Sequence, residues 1–133
     1  MGAFADQLRA FAEKTQVKME TVVRKAVVDL QGGVVLRSPV DTGRFRANWM
    51  VGIGTKKTST VTTEDKSGAV SLARVEPALA AWQPGKAIII SNSLAYAYRL
   101  EYEGWSKQSP GGMVRLTVQD WREYVRKAIA EVQ

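Results

Sequence analysis

The chain has 133 residues, 45% of them hydrophobic and 24% charged, which suits one globular domain spanning 1–133. It holds 19 Lys+Arg against 13 Asp+Glu, a net charge of +6, and no Cys or His. That excludes disulfides, thiolate chemistry, Ser-His-Asp and Cys-His mechanisms and the commonest zinc ligand, so neither cofactor nor metal is expected.

Phe4, Leu8, Phe11, Thr15, Met19, Val22, Ala26 and Leu30 recur every three or four residues, which predicts a long N-terminal amphipathic helix. Gly32-Gly33 either end it or admit a close neighbour, and Pro39 closes it by Ser38. Pro39-Val40-Asp41-Thr42-Gly43 is turn chemistry. Residues 44–53 alternate apolar and polar and predict a strand, with Phe45, Ala47, Trp49, Val51 and Ile53 on one face. The polar run 55–67, TKKTSTVTTEDKS, reads as a long mobile loop or an exposed hairpin.

Val70, Ala73, Pro77 and Ala80 share a helical face, with Pro77 a kink or a fresh start. Residues 86–91, KAIIIS, form a short strand able to pair with 44–53. Asn92 or Ser93 can cap a following helix at 94–102, and 104–112 is loop. Val118, Trp121, Val125, Ala128, Ile129 and Val132 describe a C-terminal amphipathic helix, with Thr117 and Asp120 placed like a capping box. The expected class is α+β: long N- and C-terminal helices packed on a small antiparallel sheet. Phe45, Trp49, Ile88, Ile90, Trp121 and Val125 are expected in the core. No stretch of apolar residues is long enough to span a bilayer and no secretory signal opens the chain, so a soluble cytoplasmic protein is expected.

Asp41-Thr42-Gly43 matches the tripeptide of aspartic proteases, whose two facing carboxylates share a proton in a buried apolar site. Here Arg37 precedes it and Arg44 and Arg46 follow, a cationic setting in place of the apolar one such a dyad needs. A turn explains it better, with Asp41 capping backbone N–H groups and Gly43 supplying a positive φ. Arg37, Arg44, Arg46, Lys56 and Lys57 make 37–57 basic, a patch for phosphate or a protein partner, or simply a solvated face. Tyr96, Tyr98, Tyr102 and Trp105 cluster within ten residues and suit packing or a subunit interface more than base stacking. Glu101 and Glu103 are read as salt-bridge partners of Arg99 or of a neighbouring chain.

In combination, Pro39 to Gly43, Arg44, Trp49, Asn92, Tyr96-Ala97, Leu100-Glu101-Tyr102 with Gly104, and Ser106 to Gly111 resemble the tail-completion, or head–tail joining, proteins of long-tailed bacteriophages, including the minor tail protein Z group. Glu103, inserted before Gly104, departs from the pattern, and 55–67 has no counterpart in it. The resemblance implies a structural virion protein and no enzyme: a neck or tail-completion subunit, typically in a ring of six, that helps join the DNA-filled head to the tail. Its implied partners are copies of itself, neighbouring connector or tail-tube proteins and DNA crossing the channel, with no membrane. Subunit contacts are expected from Arg37, Arg44, Arg46, Lys56, Lys57, Tyr98, Glu101, Tyr102 and Trp105. The competing readings are a dimeric aspartic protease using Asp41 and a small basic nucleic-acid-binding module.

Overall fold

The computed structural model describes residues 2–15, 19–109 and 111–132, with the side chains of 11–15 outside the description. Helix α1 (Gly2–Thr15) is followed by α2 (Met19–Arg37), a 3-10 turn (Arg46–Asn48) and strand β1 (Trp49–Ile53). Then come α3 (Ala69–Ala73), α4 (Val75–Ala80), β2 (Ile88–Asn92), α5 (Ala97–Tyr102), α6 (Val114–Val118) and α7 (Trp121–Val132). The class is α+β, with one two-stranded antiparallel sheet.

The expected N-terminal helix is thus two assigned helices, and residues 16–18 between them lie outside the described residues. Helix α2 runs through Gly32-Gly33 and ends at Arg37, just before Pro39 rules out further helix. The glycines serve close approach. A Cβ on Gly33 would lie 2.5 Å from Thr117 Cγ2 and 2.7 Å from Tyr124 Oη, so a side chain there would push α6 and α7 away. Against this seam Arg37 donates to Thr117 Oγ1 (2.9 Å) and Asp120 Oδ2 (2.8 Å). Thr117 and Asp120 therefore do not form the expected capping box. Thr117 Oγ1 donates back to the Met113 carbonyl at 2.7 Å, and both residues receive Arg37. The C-terminal helix also divides into α6 and α7, leaving Val118 exposed.

The predicted strand 44–53 is a strand only from Trp49. Upstream, Ala47 N–H donates to the Gly43 carbonyl and Asn48 N–H to the Phe45 carbonyl, a tight 3-10 turn that buries Ala47 and Asn48 together. Burial on both faces, from Trp49 to Gly52, replaces the single apolar face read from alternation. β1 pairs with β2 from Trp49↔Asn92 to Ile53↔Ile88, as expected for 86–91.

Residues 55–67 form neither hairpin nor strand. The loop is anchored to the body. Val61 N–H donates to Asn48 Oδ1 (2.8 Å), and Asn48 Nδ2 and Arg44 Nε both donate to the Val61 carbonyl. Asp65 N–H donates to the Gly43 carbonyl, and Ser91 Oγ to that of Lys57. In 69–80 the expected stripe of Val70, Ala73, Pro77 and Ala80 faces outward. Ser71, Val75 and Leu79 are the buried ones, and Pro77 sits in the first turn of α4, where its missing N–H costs nothing. Helix α5 starts at Ala97, later than expected, and Asn92 Oδ1 instead accepts from Leu94 N–H (3.3 Å) in a turn.

Three apolar clusters share α2 as their spine. Val34 and Val35 pack with Phe45, Trp49, Leu100 and Met113. Val27 packs with Val51, Val75, Leu79 and Trp82. Val22 and Ala26 pack with Val125 and Ala128, on which Phe4 and Leu8 of α1 rest. Of the six expected core residues, Phe45, Trp49 and Val125 are buried. Ile88, Ile90 and Trp121 pack on the core half-buried.

Candidate functional site

The functional candidates gather where the 39–43 turn, the β2–α5 connection and the 105–108 loop meet. Gly43 takes φ +91° and Thr42 Oγ1 accepts Arg44 N–H (3.2 Å), so the tripeptide is a turn. The expected capping by Asp41 is carried out by Thr42, leaving Asp41 exposed on the surface. Across the gap, Gln108 clasps Val40 twice. Val40 N–H donates to Gln108 Oε1 (2.8 Å), and Gln108 Nε2 donates to the Val40 carbonyl (2.9 Å). Ser109 Oγ also donates to the Arg37 carbonyl. These bonds frame a cleft of about 580 Å³ floored by Phe45, Tyr96 and Leu100 and walled by Trp105, with Asp41 and Lys107 at its lip.

The expected contact residues divide into two kinds. Arg37, Arg44 and Arg46 are half-buried and bonded within the chain. Arg46 donates to the carbonyls of Ser38, Lys66 and Leu36, each at 3.0 Å, tying the end of α2 to the far end of the loop. Glu101 is buried and accepts the N–H groups of Met113 (2.8 Å), Val114 (2.8 Å) and Arg115 (3.0 Å), together with Arg115 Nε (3.1 Å). Of the two carboxylates expected to pair with Arg99, Glu103 does so, while Glu101 pairs with Arg115. Burial pushes the Glu101 carboxyl up, but the four donors outweigh it and hold the group below its ordinary range. Glu101 is a clamp on the start of α6.

Lys56, Lys57, Tyr98, Tyr102 and Trp105 are exposed. Tyr98 and Tyr102 rings lie 4.9 Å apart, one turn along α5. Arg115 stands over Tyr102 at 5.1 Å and Arg99 over Trp105 at 5.5 Å, so the patch is aromatic and cationic together. Lys56 and the Tyr98–Tyr102 pair line one groove beside β2.

Sequence reading gave no positioning role to Asn48, Arg74 or Gln108, which hold these parts in place. Arg74 reaches the carbonyls of Ala47 and Trp49, and its burial pushes its pKa down. Nothing in local spacing announces such long-range side-chain-to-backbone bonds.

Among the described residues no cluster of acidic side chains could hold a metal ion, and no helix is long and apolar enough to cross a membrane. An exposed carboxylate on a turn also lacks the apolar enclosure that a shared-proton dyad needs. Asp41→Asn is therefore expected to leave the thermal midpoint within about 2 °C of wild type, the range of an ordinary surface substitution, measured by circular dichroism.

Comparison with known proteins gives one family model, described as "Bacteriophage HK97-gp10, putative tail-component", which matches residues 2–102. No curated protein and no solved structure matches the chain.

Proposed function

The chain belongs to the HK97-gp10-like family of bacteriophage tail components, and on that premise we propose that it acts at the head–tail junction. There it is a neck or tail-completion subunit that repeats around a ring, six copies being the expected number, and helps fasten the DNA-filled head to the tail. The observation that carries this reading is the exposed Tyr98–Tyr102–Trp105 surface with Arg99 and Arg115 stacked on it. Exposed aromatics flanked by arginine are the commonest anchors of protein–protein contacts. The loop tip at 55–60 is exposed throughout and offers a second, different surface, as a head-to-tail ring requires. The partners in this reading are further copies, a connector or tail-tube protein and, through the excess positive charge, DNA passing along the axis. No chemical step is assigned to it.

Deleting the gene tests the reading. Filled heads and separate tails are expected to accumulate unjoined in electron micrographs, with infectious titre lost. Normal yields of joined, infectious particles would overturn it.

A further inference from the structure

Strand β2 has an open edge. Gly54 N–H donates to the Ala87 carbonyl (2.8 Å), which sets the alternation of the ladder. Gly52·Ile89 and Met50·Ser91 are then the hydrogen-bonded pairs, and the N–H and C=O groups of Ile88 and Ile90 point away from β1. Among the described residues, nothing bonds to these outward groups. The outer edge of β1 differs: Arg74 fills it at Trp49, and α4 packs against the strand. Two grooves flank the open edge and meet at Ile90 and Val114. One is lined by Val23, Ile88 and Trp121 with Lys86, the other by Ile89, Tyr98 and Tyr102 with Lys56. A two-stranded sheet is marginal alone, and an apolar edge of this kind is a template for another strand.

One segment of the same chain has the matching chemistry. Residues 58–63, TSTVTT, are rich in Thr and Val, belong to no helix or strand and are exposed apart from half-buried Val61. Val61 spends its own N–H and C=O on Asn48. In extended backbone the groups of its neighbours, Thr60 and Thr62, then face away from the body. Glu64 follows directly, and it would meet an edge rimmed by Lys56 and Lys86, whose acidic neighbour Glu101 is already consumed by α6.

We propose that the open edge of β2 receives the 58–63 segment of a second copy, so that neighbouring subunits share a three-stranded sheet. The contact joins two different surfaces and therefore propagates from copy to copy, and it rests on the ring reading above.

Sedimentation velocity on the purified full chain tests it, with circular dichroism confirming that each variant is folded. Wild type is expected to assemble beyond dimers as concentration rises. Ile88→Pro removes an outward N–H that β1 does not use and is expected to weaken assembly at least tenfold, whereas Ile88→Ala, which loses side-chain packing alone, retains it. Thr60→Pro combined with Thr62→Pro blocks the other half and leaves the β1–β2 ladder untouched, so it decides the matter even if Ile88→Pro fails to fold. An equimolar mixture of the two blocked chains is expected to stop at one-to-one dimers, each supplying the half the other lacks. Assembly indifferent to both proline variants overturns the strand contact and leaves the ring standing. A loop-blocked chain that dimerises alone points to β2 pairing with itself and overturns it too. A wild type that stays monomeric at every concentration overturns it as well, while the deletion phenotype judges the junction reading separately.

Discussion

Gly43→Ala is expected to destabilise the chain by about 3–5 kcal/mol, lowering the thermal midpoint by roughly 10 °C or more. Two separate costs add at this position. Gly43 holds φ +91°, where a Cβ meets its own backbone. That Cβ would also lie 2.4 Å from Asp65 C and 2.4 Å from Lys66 N, which are backbone atoms and cannot rotate aside. The Gly43 carbonyl receives Ala47 N–H and Asp65 N–H, so moving it loosens the 3-10 turn and the loop together. Two other glycines separate the terms. Gly54 has φ +78° with nothing within 4 Å, so Gly54→Ala tests strain alone and is expected to cost about 1–2 kcal/mol. At Gly52 no positive φ arises but a Cβ would meet Thr55 O at 2.1 Å, so Gly52→Ala tests collision alone. Urea denaturation of the three variants measures the two costs apart and together. Gly43→Ala no worse than Gly54→Ala would show that the 65–66 backbone yields freely.

The same turn marks how far local sequence can be read. Asp-Thr-Gly between a Pro and an Arg states its own geometry, because the φ preference of Gly43 and the reach of Thr42 are properties of the residues themselves. The strand pairing was equally plain, since the apolar run 88–90 and the segment at 49–53 have few other ways to hide. Long-range polar bonds left no such trace. Alternation across 44–53 suggested one continuous strand, but Asn48 satisfies Val61 thirteen residues away and forces the turn before Trp49. The outward stripe on α3 and α4 was a periodicity without a partner. Ser71 and Val75 face inward because α2 and the 3-10 turn lie on that side, where Ser71 Oγ reaches the Arg46 carbonyl. Arg37, Arg44 and Arg46 read as a basic contact patch or a solvated face because charge is visible in sequence and the groups that take it up are not: Thr117 and Asp120 for Arg37, the Val61 carbonyl for Arg44 and three carbonyls for Arg46. Tyr98, Tyr102 and Trp105 kept the exposure that their reading as contact residues requires.

Glu101→Gln is expected to cost about 2–3 kcal/mol at neutral pH, because charge-assisted bonds to a buried carboxylate exceed neutral ones. The side chain is 8% exposed and gathers three successive N–H groups at the start of α6, which have no partner within that helix. Glutamine keeps one acceptor oxygen and turns an N–H₂ group toward Arg115 N–H, replacing an attraction with a repulsion. The sign of the pH dependence follows from the depressed carboxyl. A group whose pKa is lower folded than unfolded contributes fully above its unfolded value, near 4.3, and loses that contribution as pH falls through the folded value. The stability gap between wild type and Glu101→Gln should therefore be constant above about pH 5 and narrow steadily below it. Asp65 is also held low, by the Ser67 hydroxyl and the Val70 N–H, but both chains carry it and the difference removes it. Urea titrations at a series of pH values give that difference directly. A gap that stays constant down to pH 3 would mean that Glu101 acts through shape and neutral hydrogen bonding instead of charge. Because α6 also supplies Val114 to both grooves beside β2, loss of the clamp is further expected to weaken assembly along that edge while leaving the β1–β2 ladder intact.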